Sequence, residues 1–148
     1  MWAGRPTHFN DANRSLHLTQ LAPLAVPGVS FVSIQKGPAE LQATEPPAGM
    51  SLLSLSDEIR DFEDTAAILE VVDLLVSIDS SPVHLAGALG RPVWLMLPFV
   101  PDWRWLLGRA DTPWYPATRL YRQPRRGDWG SVTNAIGSEL SRLAQRGR

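Results

Sequence analysis

One stretch limits the possible folds more than any other: LLVSIDSSPVHLAGALGRPVWLMLP, Leu74 to Pro98. LLVSID is apolar on both faces, as a central strand of a parallel sheet is. SPVHLAGALG reads as a helix. Ser81 suits its cap, Pro82 its first turn and Gly90 its end. PVWLMLP reads as the next strand. A strand, a helix and a strand in this order predict parallel neighbours joined by a crossover.

The rest of the chain repeats the alternation. VSFVSIQ (29–35) and SLLSLS (51–56) are strands by their β-branched and apolar content. GPAELQAT between them is a short helix, as is LHLTQLAPL before them. DFEDTAAILEVVD is a helix with Asp61, Glu63 and Asp64 at its N-terminus, where the helix dipole favours acids. TRLYRQ is an edge strand. The closing helix carries Trp129, Val132, Ile136, Leu140 and Leu143 on one stripe. MWAG reads as the last residues of a strand that begins before it. The whole predicts one domain over 1–148: an α/β, Rossmann-like open parallel sheet of about six strands, helices on both faces.

Composition narrows the function classes. The net charge of −1 gives no electrostatic footprint for nucleic acid. The tail RQPRRGDWG is locally basic and reads as a solvated face. The absence of cysteine removes disulfide scaffolds and cysteine-based zinc sites. No apolar run reaches the ~20 residues of a membrane span, and MWAGRPTHFND lacks a signal-peptide core. The expectation is a cytoplasmic domain without a membrane span. His8, His17 and His84 lack metal-ligand spacing, so no metal is expected. No dinucleotide fingerprint, P-loop or nucleophile elbow is present. A phosphoacceptor receiver needs acids after its first strand, which WAGRP does not offer.

Open parallel sheets bind ligands beyond the carboxyl ends of their strands, so the polar residues there are the candidates. After Gly4, which permits close backbone approach, come Arg5, His8, Asn10 and Arg14. Arg is a natural fork for phosphate. Gln35 can hydrogen-bond a base or a sugar. Phe62 either packs in the core or lines a base pocket. Ser80 and Ser81 stand at a helix N-terminus, whose free N–H groups suit phosphate. Asp79 accepts from sugar hydroxyls or orients the turn. His84 orients that turn or donates to an anion. Trp103 and Trp105 follow the fifth strand as a cover for the sheet's end, and Trp114 and Tyr115 belong to the core or to a lid.

Three stretches resemble a known group. WAGRPTHFNDANRS, the DFEDTAAILEVVDLLVSIDSSPVHLAGALGRPVW core and LPFVPDWRWLLGRADTPWYPATRLYRQ occur in the order found in the C-terminal, donor-binding half of GT-B glycosyltransferases similar to the heptosyltransferases, glycosyltransferase family 9. The likeness is closest to bacterial proteins in which tetratricopeptide repeats precede this module. The resemblance implies that Asp79, Ser80 and His84 match the D-[ST]-x-x-x-H turn that holds the donor diphosphate. It puts Arg5 or Arg14 near the basic position after the first strand. Ser80-Ser81 stands where Thr-Gly is usual.

The implied donor, a nucleotide-diphosphate-sugar, is a substrate; no cofactor is implied. The acceptor hydroxyl is unspecified. Helix-end N–H groups and Arg would stabilise charge growing on the leaving diphosphate. A base from a missing N-terminal domain would activate the acceptor. On this reading the chain binds donor and lacks full activity alone. The alternative is a non-catalytic nucleotide-binding or protein-interaction module.

Overall fold

The computed structural model describes residues 1–146. Five short strands form, all pairing in parallel: β1 (Ser30–Ser33), β2 (Ser51–Ser54), β3 (Leu75–Ile78), β4 (Val93–Leu97) and β5 (Thr118–Arg122). Four α-helices accompany them: α1 (Asp11–Arg14), α2 (Phe62–Val71), α3 (Ser81–Ala88) and α4 (Trp129–Arg146). The segments Leu18–Leu24 and Pro38–Thr44, expected as helices, are 3-10 turns. Pro23 lies inside the first of them, where its missing N–H would break an α-helical ladder.

The expectation of one Rossmann-like sheet of about six strands is wrong. The strands divide into a two-stranded sheet, β1-β2, and a three-stranded sheet, β3-β4-β5. The reason lies in residues 1–3. They run between the two sheets and bond to β3 at one point only: the Met1 ammonium donates to the Val76 carbonyl at 3.0 Å, and Ile78 N–H donates to the Met1 carbonyl at 3.2 Å. Toward β1 there is no backbone ladder. The Gln35 side chain bridges instead, accepting from Trp2 and Ala3 N–H and donating to the Ala3 carbonyl.

Period-2 alternation gives the three-stranded sheet two apolar faces. Ile78, Met96 and Tyr121 join one core with Trp2, the Leu18–Leu24 segment and the inner stripe of α4. Leu75, Leu95, Leu97 and Leu120 join a second with Val83 and Ala86 of α3, Leu69 of α2 and Trp105. The Asp61 carboxylate caps α2 by accepting from the N–H groups of Glu63 and Asp64. The cap expected of Ser81 is not made: Ser81 is already the first helical residue of α3, and Ser80 stands at the N-cap without a side-chain bond to the helix.

Close packing of α4 on Leu18–Leu24 depends on Gly137. A Cβ there would overlap the carbonyl of Pro23, which backbone cannot sidestep. Gly137→Ala is expected to destabilise by about 1–3 kcal/mol in urea denaturation. Gly130→Ala in the same helix meets nothing closer than 3.8 Å and should gain up to about 1 kcal/mol from helix propensity.

Candidate functional site

The carboxyl ends of β3, β4 and β5 open on a polar pocket of about 460 Å³. Four chain segments wall it. The loop after Gly4 brings His8, Phe9 and Arg14; the end of β3 brings Asp79; the turn after β4 brings Pro98 to Asp102 and Arg104; the end of β5 brings Gln123 and Arg126.

Local hydrogen bonds fix the first of these walls. Gly4 N–H donates to Ser15 Oγ, and the Ser15 hydroxyl donates to Asp11 Oδ1. Asp11 in turn lies 3.5 Å from Arg14 Nε, with both side chains mostly covered. Arg14 Nη1 then donates to the Asp79 carbonyl at 2.8 Å. This ties the loop to the turn after β3. A Cβ at Gly4 would collide with Arg14 and Asp11, so the close approach read from the sequence is spent on this internal arginine.

Asp79 and His84 meet as a loose pair, with His84 Nε2 3.8 Å from Asp79 Oδ1. The ring is held from its other side. Nδ1 shares a hydrogen bond with the Tyr115 hydroxyl at 2.9 Å, and the imidazole stacks on Trp105 at 5.6 Å between centroids. Gly87 lets Tyr115 lie against α3, since a Cβ there would enter the phenol ring.

On the far wall the Gln123 carbonyl oxygen accepts from Phe99 N–H and Gly127 N–H. Gln123 Nε2 is buried without a partner. Asp128 closes the start of α4. Its carboxylate accepts from the N–H and hydroxyl of Ser131, which hold it below the usual carboxylate range. That helix end is therefore satisfied from within the chain. Arg104 pairs with Asp102 at 3.2 Å. Arg126 is exposed and makes no ion pair among the described residues.

The structure thus gathers four of the ten candidates, His8, Asn10, Arg14 and Asp79, around one pocket, with His84 beside Asp79. Ser80 stands at the N-cap of α3, but its hydroxyl turns inward to the Ile78 carbonyl and Ser77. Ser81 is exposed on the first turn of α3, outside the pocket wall. Arg5 is exposed in the loop and does not line the pocket. Gln35 is fully buried and serves residues 2 and 3. Phe62 is 62% exposed at the start of α2, away from the pocket. Sequence reasoning missed Gln123 and Arg126. Their signal was the RQPRR run after the last strand, which read as a solvated face.

Among the described residues no helix is long and apolar enough to cross a membrane, and no acid, histidine and cysteine cluster forms a metal-holding group. The chain is 30% identical over 125 residues to Protein FlbA of Caulobacter vibrioides, an alignment that covers 82% of this chain and 21% of that protein. The chain therefore spans about a fifth of the length of this curated relative. No family model and no solved structure matches the chain.

Proposed function

We propose that this chain binds the donor of a glycosyltransferase, a nucleotide-diphosphate-sugar, in the pocket at the ends of β3, β4 and β5. The observation that carries the reading is the charge arrangement there. Arg14 is fixed across the Asp79 turn, and Arg126 stands opposite without an ion pair. Two guanidinium groups suit a diphosphate as forked donors. Asp79 and the Asp102 carboxylate are acceptors for sugar hydroxyls. The heptosyltransferase-like motifs support the same reading, since Asp79 and His84 fall on its donor turn. Transfer to an acceptor hydroxyl, in the cytoplasm, is assigned to a longer protein that adds an acceptor-activating base.

Calorimetric titration with UDP-, GDP- and ADP-sugars tests the reading. One of them should bind saturably. Arg126→Ala should weaken it by about 10- to 150-fold, the loss of a charged hydrogen bond worth ~1.5–3 kcal/mol. Because Arg126 is exposed, its removal leaves the fold intact. Arg14→Ala should also weaken binding, with an added stability cost from its bond to Asp79. Absence of binding at millimolar sugar nucleotide, or equal binding by Arg126→Ala, overturns the reading.

A further inference from the structure

Two hydrogen bonds decide which way the Gln123 amide points. Phe99 N–H donates to its Oε1 at 3.2 Å, and Gly127 N–H donates to the same atom at 3.0 Å. The opposite orientation would set the amide NH2 against two N–H groups, donor against donor. The oxygen is therefore the occupied end. Nε2 is buried without a hydrogen-bond partner among the described residues. The side chain is 3% exposed, and it lines the pocket at the ends of β3, β4 and β5. A buried donor left unpaired carries the full cost of its lost hydration, and buried polar groups are nearly always paired. The partner that Nε2 lacks is an acceptor from outside the chain.

The neighbours say what kind of acceptor. Two of the pocket's cations are spent within the chain. Arg14 serves Asp11 and the Asp79 carbonyl, and Arg104 lies 3.2 Å from Asp102. Arg126 makes no ion pair among the described residues and follows Gln123 by three positions on the same turn. The bond from Gly127 N–H fastens the backbone directly after Arg126 to the Gln123 side chain. One amide thus holds the turn that carries the unpaired guanidinium, and its own N–H pair belongs to the same wall. A charged and a neutral donor on one turn suit an anionic group with several oxygens and no proton to give. A phosphoryl group has these properties. A sugar hydroxyl brings a proton that the filled Oε1 cannot take.

We propose that Gln123 Nε2 donates to a phosphoryl oxygen of the bound diphosphate, alongside Arg126. The assignment rests on the donor reading above and names a residue that recognises its phosphate. Nε2 lies just beneath the pocket surface, so the contact requires a small shift of the turn after β4. That turn is uncovered on its outer side, where Phe99 is 43% and Val100 56% exposed, and its bond to Gln123 is the longer of the two. The shift pairs a donor that the chain itself leaves unpaired, and it does so with a charged acceptor, which makes the stronger kind of hydrogen bond.

Nuclear magnetic resonance of the side-chain amides reads the contact directly. In isotope-labelled protein the Gln123 NH2 signals are identified by their loss in Gln123→Glu. That variant has the same shape, and its carboxylate still accepts from Phe99 and Gly127. The titrants are inorganic pyrophosphate, then UDP, GDP and ADP, then the matching nucleosides. Pyrophosphate and at least one nucleoside diphosphate should move a Gln123 amide proton downfield and shift the Phe99 backbone amide. The nucleosides should leave both in place. Gln123→Glu should bind pyrophosphate about tenfold more weakly or worse. Binding of a nucleoside diphosphate with the Gln123 amide unmoved overturns this assignment and leaves the donor reading standing. A response to a nucleoside but not to pyrophosphate overturns the phosphoryl contact. A response to pyrophosphate without binding of any nucleoside diphosphate supports the contact and overturns the donor reading alone. Absence of binding by every titrant overturns both.

Discussion

Gln35→Ala is expected to destabilise the chain by about 4–6 kcal/mol, the largest effect of any single side chain outside the apolar core. Four polar groups lose their partner at once. Trp2 and Ala3 N–H donate to the Gln35 carbonyl oxygen, and the Gln35 amide donates to the Ala3 and Lys36 carbonyls, at distances of 2.9–3.0 Å. Each unpaired buried group costs about 1–3 kcal/mol, and these costs are not fully additive. Gln35 is fully buried, so solvent does not take over the bonds in place. Gln35→Met separates the polar from the packing contribution. It fills the same space without a hydrogen bond, and its expected cost is close to that of Gln35→Ala. Urea denaturation of the two variants measures both. If Gln35→Met matched the parent, the bridge between residues 1–3 and β1 would be incidental to stability.

This same residue shows where sequence reading stops. Gln35 follows a run of β-branched residues, so it reads as the polar end of a strand, facing a ligand. The strand ends at Ser33, two residues earlier, and Gln35 turns inward to do the work of a missing ladder. Nothing local distinguishes a glutamine that meets a ligand from one that meets its own backbone. The division into two sheets was hidden for the same reason. Whether MWAG pairs on both sides depends on contacts to residues 32 to 77 positions away. By contrast, β3, α3 and β4 were legible to within a residue or two. Their boundaries are set by neighbours in sequence: Pro82 at the first turn, Gly90 past the end.

The polar pocket was half legible. Arg14 and Asp79 stood out as polar residues beside apolar strands. Arg126 did not, because its run of charges looks the same on a solvated face as over a pocket. Only the turn from β5 into α4 carries it to the wall shared with Asp79. The tryptophans make the point in miniature. Trp103 is 73% exposed and Trp105 fully buried, two residues apart in one short turn. Trp105 supports His84, whereas Trp103 touches solvent.

In a polypeptide whose first residue is Met1, stability should also rise steeply with pH between about 5 and 8, through a group that is not a side chain. Burial lowers the Met1 ammonium from its ordinary 8.0 to about 5. Below pH 5 the group is charged in both the folded and the unfolded chain, and folding carries the full cost of burying that charge. Between 5 and 8 the unfolded chain keeps the proton while the native state sheds it, so the unfolded state binds more protons and stability climbs. Above 8 both states are neutral and the slope ends. Three pH units at ~1.36 kcal/mol each give about 4 kcal/mol across the window. The neutral amine still donates to the Val76 carbonyl, so the contact survives deprotonation. Urea denaturation at pH 5.5 and 8.5 measures the climb. Chemical acetylation of Met1 supplies the control, because it removes the titrating group and leaves every histidine in place. The acetylated chain should lose most of the difference between the two pH values. Equal slopes for the two forms would mean that the ammonium is solvated in the folded chain.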